Sequence, residues 1–66
     1  MEILINGAAH QVADDMSLDR AVALISNATS GVAAAVNGAL VRRVSWPSTR
    51  LAAGDEIEVL TAVQGG

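Results

Sequence analysis

Met1-Glu2-Ile3-Leu4-Ile5-Asn6-Gly7 opens the chain with a short apolar run that stops on an asparagine–glycine pair. A run of this length, rich in isoleucine, predicts a strand. Asn-Gly accepts the positive φ that both central residues of a type I′ turn require, so Ala8 to Ala13 is expected to return as the second strand of a hairpin. The same signal recurs further along the chain. Val32 to Val36 reads as a buried strand despite three alanines, which are poor strand formers. Asn37-Gly38 then turns the chain, and Ala39 to Val44 is expected to come back antiparallel.

Between the two hairpins lies one helix. Ser17 is placed to cap it and Asp19 falls in its first turn, where negative charge is favourable. Leu18, Ala21, Val22, Ile25 and Ala28 recur at three- and four-residue spacing, with Leu24 beside them, and form one apolar face. Gly31 is the expected stop. After the second hairpin, Trp46-Pro47-Ser48 reads as a loop and Leu51 to Asp55 as a turn-rich connection. Glu56-Ile57-Glu58-Val59-Leu60-Thr61 begins with clean alternation and is a strand, with Ile57 and Val59 on one face.

Hairpin, helix, hairpin and final strand make an α+β domain. One helix packs across one face of a mixed β-sheet, with the first and last strands side by side at its centre. Residues 1–61 form this domain, and 62–66 are expected to be a flexible C-terminal tail.

Composition bounds the function. The chain has 66 residues, 52% of them hydrophobic, and no cysteine. A domain this small buries only about 60% of its unfolded surface, so it depends on one apolar core. Without a thiol it has no disulfide, no thiolate metal site and no side-chain sulfur nucleophile. Seven acidic residues face four basic ones, all arginine, for a net charge of −3. Nucleic acid needs a cationic footprint, so a nucleic-acid partner is not expected. No apolar run approaches the roughly 20 residues of a membrane span, and no signal peptide opens the chain. A soluble, cytoplasmic protein is expected.

No catalytic constellation is readable. His10 has no serine or cysteine arranged to pair with it and reads as a solvated strand residue. Asp14-Asp15 and Glu56/Glu58 read as a solvated turn and a solvated strand face rather than metal ligands. Chemistry is concentrated instead in Gly65-Gly66. On the tail alone, a frayed end and a reactive terminus stand level. Glycine lacks Cβ, so the pair fits a channel too narrow for side chains. The carboxylate at its end becomes an acyl donor once joined to AMP, and sulfur displacing the AMP leaves a thiocarboxylate.

The alternation also exposes a surface. If Ile3 and Ile5 face the helix with Ile57 and Val59, then Leu4 and Leu60 point the other way. On adjacent central strands they are expected to be neighbours, with Ala33 and Ala35 on the same face. A contiguous apolar patch beside a reactive tail marks an expected docking site for partner proteins. Arg42 and Arg43 read as a solvated edge, and Trp46 as a packing residue closing one end of the core.

Opening Met1 to Gly7, the Ala35-Val36-Asn37-Gly38 turn, Val41-Arg42-Arg43 with Trp46, Leu51, Gly54-Asp55-Glu56-Ile57-Glu58, and Val63-Gln64-Gly65-Gly66 together resemble the ThiS family of ubiquitin-like β-grasp sulfur carriers. The resemblance implies that Gly66 is adenylated by a ThiF-like enzyme, with ATP and magnesium on that partner and no cofactor on this chain. It implies that a cysteine desulfurase relay supplies sulfur, and that the thiocarboxylate is delivered to a ThiG-like thiazole synthase for the thiazole of thiamine. Gly65, Gln64 and Val63 would give the tail its access. The chain is then a co-substrate rather than an enzyme. The small subunit of molybdopterin synthase shares the fold and the Gly-Gly end, but commonly carries prolines before it, and Leu60 to Gln64 has none. A protein modifier that forms isopeptide bonds through Gly66 is the third reading.

Overall fold

In the computed structural model, which describes residues 1–27 and 31–61, the first hairpin pairs β1 (Glu2–Ile5) with β2 (Ala8–Gln11) in antiparallel register, Ile5 opposite Ala8. The turn between them needs left-handed backbone, and Asn6 and Gly7 sit at φ 51 and 84. The second hairpin repeats this with β3 (Val32–Val36), Asn37 at φ 50, Gly38 at φ 84 and β4 (Ala39–Val41). The last strand, β5 (Glu56–Thr61), slots between the two hairpins, parallel to β1 and antiparallel to β3. The sheet order is β2-β1-β5-β3-β4, with first and last strands adjacent at the centre as the sequence implies. This is the ubiquitin-like β-grasp arrangement.

One face of the sheet carries the core. Ile3, Ile5, Ala34, Ile57 and Val59 are buried against Leu18, Ala21 and Val22 of α1 (Leu18–Ala23), and Trp46 and Leu51 complete the cluster. Among the described residues no polar side chain is buried. Among the described residues no helix is long and apolar enough to cross a membrane.

The two turn asparagines do more than turn the chain. The Asn6 side chain receives the Val59 N–H at 2.8 Å and donates to the Val59 carbonyl at 3.2 Å. The Asn37 carbonyl oxygen receives the Glu56 N–H at 2.9 Å, and its amide donates to Asp55 at 3.0 Å. The central strand is thus gripped at its start, Glu56, and again at Val59 by side chains of the two hairpin turns. Asn6→Ala removes two hydrogen bonds, each worth about 1 kcal/mol, and leaves alanine at a positive φ. The expected cost is about 2 kcal/mol, and Tm falls on the order of 10 °C. Thermal denaturation followed through Trp46, the only aromatic residue, checks this. An unchanged Tm means the clamp contributes nothing.

Three expectations are corrected. The helix is shorter than its apolar spacing implies. Leu24 is its C-cap, and the Leu24 and Ile25 amides bond three residues back, to Ala21 and Val22. That tightening rotates both side chains off the buried face, leaving Leu24 52% and Ile25 42% exposed. Ala28 lies outside the described residues. Ser17 does sit at the N-cap in extended conformation, and its carbonyl accepts from Ala21. Its hydroxyl, however, bonds the Asp19 carboxylate rather than a helix amide.

The third correction concerns the end of the second hairpin. β4 stops at Val41 instead of reaching Val44, and a 3-10 helix (Arg43–Ser48) replaces the end of the strand and the loop. The indole N–H of Trp46 reaches back 2.9 Å to the Val41 carbonyl. It occupies an acceptor close to where the ladder ends, while its ring closes the core. Val44, on the outside of this helix, is left 83% exposed.

Candidate functional site

Alternation along the strands sends one set of side chains into the core and the other to the open face of the sheet. Ile57 and Val59 are buried while Leu60 is 67% exposed. Leu60 stands opposite the exposed Ala33 across the β3–β5 ladder, and Ala35 stands between Glu58 on β5 and Leu40 on β4. Leu40 is itself 76% exposed. The open face therefore carries Leu60, Ala33, Ala35 and Leu40 around Glu58.

Leu4 is on the same face but not in the same place. The parallel register pairs Leu4 with Glu56 and Ile5 with Ile57. Leu4 is four residues of β5 away from Leu60, about 13 Å at the rise of a parallel strand. The expected neighbour relation between Leu4 and Leu60 is thus overturned. Alternation fixes which face a residue takes. It says nothing of how far one strand is slid along another that lies fifty residues away in sequence. Leu4 contacts a different row, flanked by Glu56 on one side and Ala9 on the other.

Leu40 was missed, and a signal for it existed. A two-residue Asn-Gly turn fixes Val36 opposite Ala39 and hence Ala35 opposite Leu40. Local hairpin register alone places Leu40 beside Ala35.

The apolar end of this face lies where β5 leaves the sheet. An open hollow of about 360 Å³ is lined there by Gly31, Val32, Ala33, Leu60 and Thr61. Small side chains on one wall and a single projecting leucine give it an apolar floor. Thr61 is the last described residue, so the hollow lies at the root of segment 62–66. Val63, Gln64, Gly65 and Gly66, the tail residues singled out from the sequence, lie outside the described residues.

Elsewhere the molecule offers little for catalysis. His10 is half-buried on the edge strand β2, opposite Ile3. Among the described residues no three His, Cys, Asp or Glu side chains come together as a metal site. Arg42 and Arg43 are exposed, and the Arg43 guanidinium lies 5.2 Å from the centre of the Trp46 ring. A second hollow of about 370 Å³ opens between α1 and the 3-10 helix, floored by Val22, Trp46 and Pro47, and includes none of the open-face residues.

The comparisons agree with this geometry. The ThiS family model matches residues 3–66, which takes in all of the sheet but Glu2, and the Gly65-Gly66 end. The chain is similar to the crystal structure of a thiamine biosynthesis protein, ThiS, from Geobacter metallireducens. The two share 25% identity and a TM-score of 0.79, with all of each chain covered. A solution structure of a thiamine biosynthesis protein from the same organism is similar at the same identity and TM-score, covering all of this chain and 88% of that one. No curated protein sequence, compared individually, matches the chain.

Proposed function

The chain belongs to the ThiS family, and from that premise we propose that it is a sulfur carrier of thiamine biosynthesis which works through the carboxylate of Gly66. The observation that carries this reading is that the family match runs through the Gly-Gly end rather than stopping at the folded domain. Residues 1–61 act as the presenting domain and 62–66 as the working segment.

The chemistry follows from what a terminal carboxylate lacks. A carboxylate oxygen is too poor a leaving group for sulfur to displace. Attack of the Gly66 carboxylate on the α-phosphate of ATP expels pyrophosphate and gives an acyl adenylate. Sulfide then displaces AMP directly. A persulfide sulfur from a desulfurase relay does the same once a second thiol has cleaved the resulting disulfide. Either route leaves –C(=O)–S⁻ on Gly66. ATP and magnesium belong to the ThiF-like partner, and the sulfur acceptor is a ThiG-like thiazole synthase. No side chain of this protein takes part in bond making, so the chain is a co-substrate. Its own contribution is steric: Gly65 and Gly66 carry no side chain that a narrow active-site channel would have to exclude.

Intact mass spectrometry of the protein, coexpressed with its adenylating enzyme and desulfurase, tests this reading. The expected product differs from the unmodified chain by one sulfur in place of one oxygen. Conjugates to other proteins instead indicate a modifier. Neither species, with the adenylating enzyme active, refutes both. Transfer from the loaded chain to thiazole synthase, and not to the large subunit of molybdopterin synthase, assigns the pathway.

The open face is the proposed docking surface, with Leu60, Ala33, Ala35 and Leu40 at its apolar end and Leu4 in a separate row. Leu60 is exposed and makes no core contact. Leu60→Asp is therefore expected to leave Tm within about 4 °C, since surface changes seldom exceed about 0.5 kcal/mol. It should weaken binding to the adenylating enzyme by at least about tenfold, the usual scale for burying an unpaired charge in an apolar contact. Calorimetric titration of the unmodified chain and of Leu60→Asp against the enzyme measures this. Unchanged affinity removes Leu60 from the interface.

A further inference from the structure

All four arginines of this acidic chain lie outside the five strands that make the open face. Three of them gather on the helical side of the domain. Arg20 belongs to α1, Arg43 opens the 3-10 helix, and Arg50 follows that helix. The Leu18 N–H donates to the Thr49 carbonyl at 2.9 Å, and the Leu51 N–H to the Met16 carbonyl at 3.0 Å. These bonds hold Arg50 opposite Ser17, at the start of α1.

Two hollows meet there. The hollow between α1 and the 3-10 helix includes Arg43, and a more polar one of about 300 Å³ is lined by Asp15, Arg20 and Arg50. Both include Asp19 and Pro47, so they form one groove. Three arginines face two aspartates along it, an excess of positive charge on a chain whose net charge is −3. The Asp19 carboxylate takes the Ser17 hydroxyl. Among the described residues the only ion pair joins the Met1 amine to Asp14, so no arginine of the groove is neutralised by contact. Cations beside an apolar floor of Val22, Trp46 and Pro47 complement a protein segment that carries carboxylates around an apolar side chain.

The chemistry of the carrier gives such a segment a place. An acyl adenylate is open to hydrolysis, so it must stay in the water-excluding site of the adenylating enzyme until sulfur arrives. The persulfide sulfur then attacks the Gly66 carbonyl carbon, AMP leaves, and a second thiol cleaves the acyl disulfide to the thiocarboxylate. The protein that brings the persulfide therefore has to meet the chain while its open face is already covered. The groove includes none of the open-face residues.

We infer that the groove of Arg20, Arg43 and Arg50 is a second docking surface, and that its occupant is an acidic segment of the persulfide-carrying protein. This rests on the carrier reading above and names where the sulfur donor grips the chain. The open face then serves activation and the helical side serves sulfur loading, both at once.

Thiocarboxylate formation tests the inference. The full chain is combined with the ThiF-like enzyme, ATP, and either the persulfide-loaded relay protein with a reducing thiol or free sulfide, which needs no docking. The double variant Arg20→Glu, Arg50→Glu is expected to keep its ATP–pyrophosphate exchange and its sulfide-driven product. Its relay-driven rate, below saturation, should fall at least about tenfold. Asp15→Lys removes an opposing charge and should raise the relay-driven rate about threefold. Added salt should narrow both differences.

Relay-driven rates equal in all three chains overturn the inference and leave the carrier reading intact. Loss of exchange activity in the double variant with its Tm unchanged assigns the groove to the adenylating enzyme, and also overturns it. If the double variant is unfolded, Asp15→Lys decides, and an unchanged relay-driven rate there overturns the inference. Failure of the enzyme to adenylate the unmodified chain refutes the carrier reading and this inference together.

Discussion

Deleting Gly66 is expected to reduce adenylation of the chain by its activating enzyme by at least about a hundredfold while leaving its thermal unfolding unchanged. The first half follows from reach. Removing one extended residue withdraws the carboxylate by about 3.3 Å. An ångström of misplacement at reacting atoms already costs about a hundredfold. The second half follows from where the described contacts are. The core comprises residues between Ile3 and Val59, and the described ladders end at Thr61. ATP–pyrophosphate exchange measures the first effect and a melting curve the second. Gly65→Val makes the complementary change: it keeps the carboxylate at full reach but adds a branched side chain beside it. If the site is a narrow channel, this variant also loses most of its exchange activity. If the deletion variant keeps full activity, the terminus is passive and the domain is an interaction module only.

How much of this was legible in the sequence depends on the range of the interaction that decides each feature. The two hairpins were readable because Asn6-Gly7 and Asn37-Gly38 impose their geometry within four residues. The buried face of β5 was readable because Ile57 and Val59 alternate with glutamates. The helix was readable as an element but not in its length. Ile25 has the right spacing for the apolar face, and only the tightened final turn at Leu24 removes it. The 3-10 helix was not readable, because what anchors it is the Trp46 indole on the Val41 carbonyl. Nothing in Arg42 to Ser48 announces that contact.

The candidate site divides along the same line. The faces of Leu4, Leu60, Ala33 and Ala35 follow from period-two alternation, and Leu40 follows from hairpin register. The separation of Leu4 from Leu60 depends on how β5 slides along β1, two strands some fifty residues apart, and no local signal sets that. The Asn6 clamp on Val59 is likewise a contact across 53 positions. A sequence reading recognises Asn6 as a turn residue and stops there, although the same side chain also grips β5 at Val59.

The largest loss of stability is expected from Ile57→Ala. Ile57 is 1% exposed and sits where the two hairpins meet, opposite Ile5 on one side and Val36 on the other. Removing its outer carbons leaves a cavity bounded by strands that cannot both close on it, because each is held by its own ladder. Such truncations cost about 2 to 5 kcal/mol, toward the upper end where the site cannot collapse. A chain of 66 residues has only about 3 to 10 kcal/mol to lose. The substitution is expected to lower Tm on the order of 20 °C and to leave a sizeable fraction unfolded at 37 °C. Denaturant titration gives the free energy, and Trp46, in the same core, reports it. The comparison with Leu60→Asp makes the test specific. Ile57 and Leu60 lie three residues apart on one strand, and the fold assigns one to the core and the other to the partner. A variant at Ile57 that loses partner binding with its Tm intact would reverse that assignment, and with it the identity of the docking face.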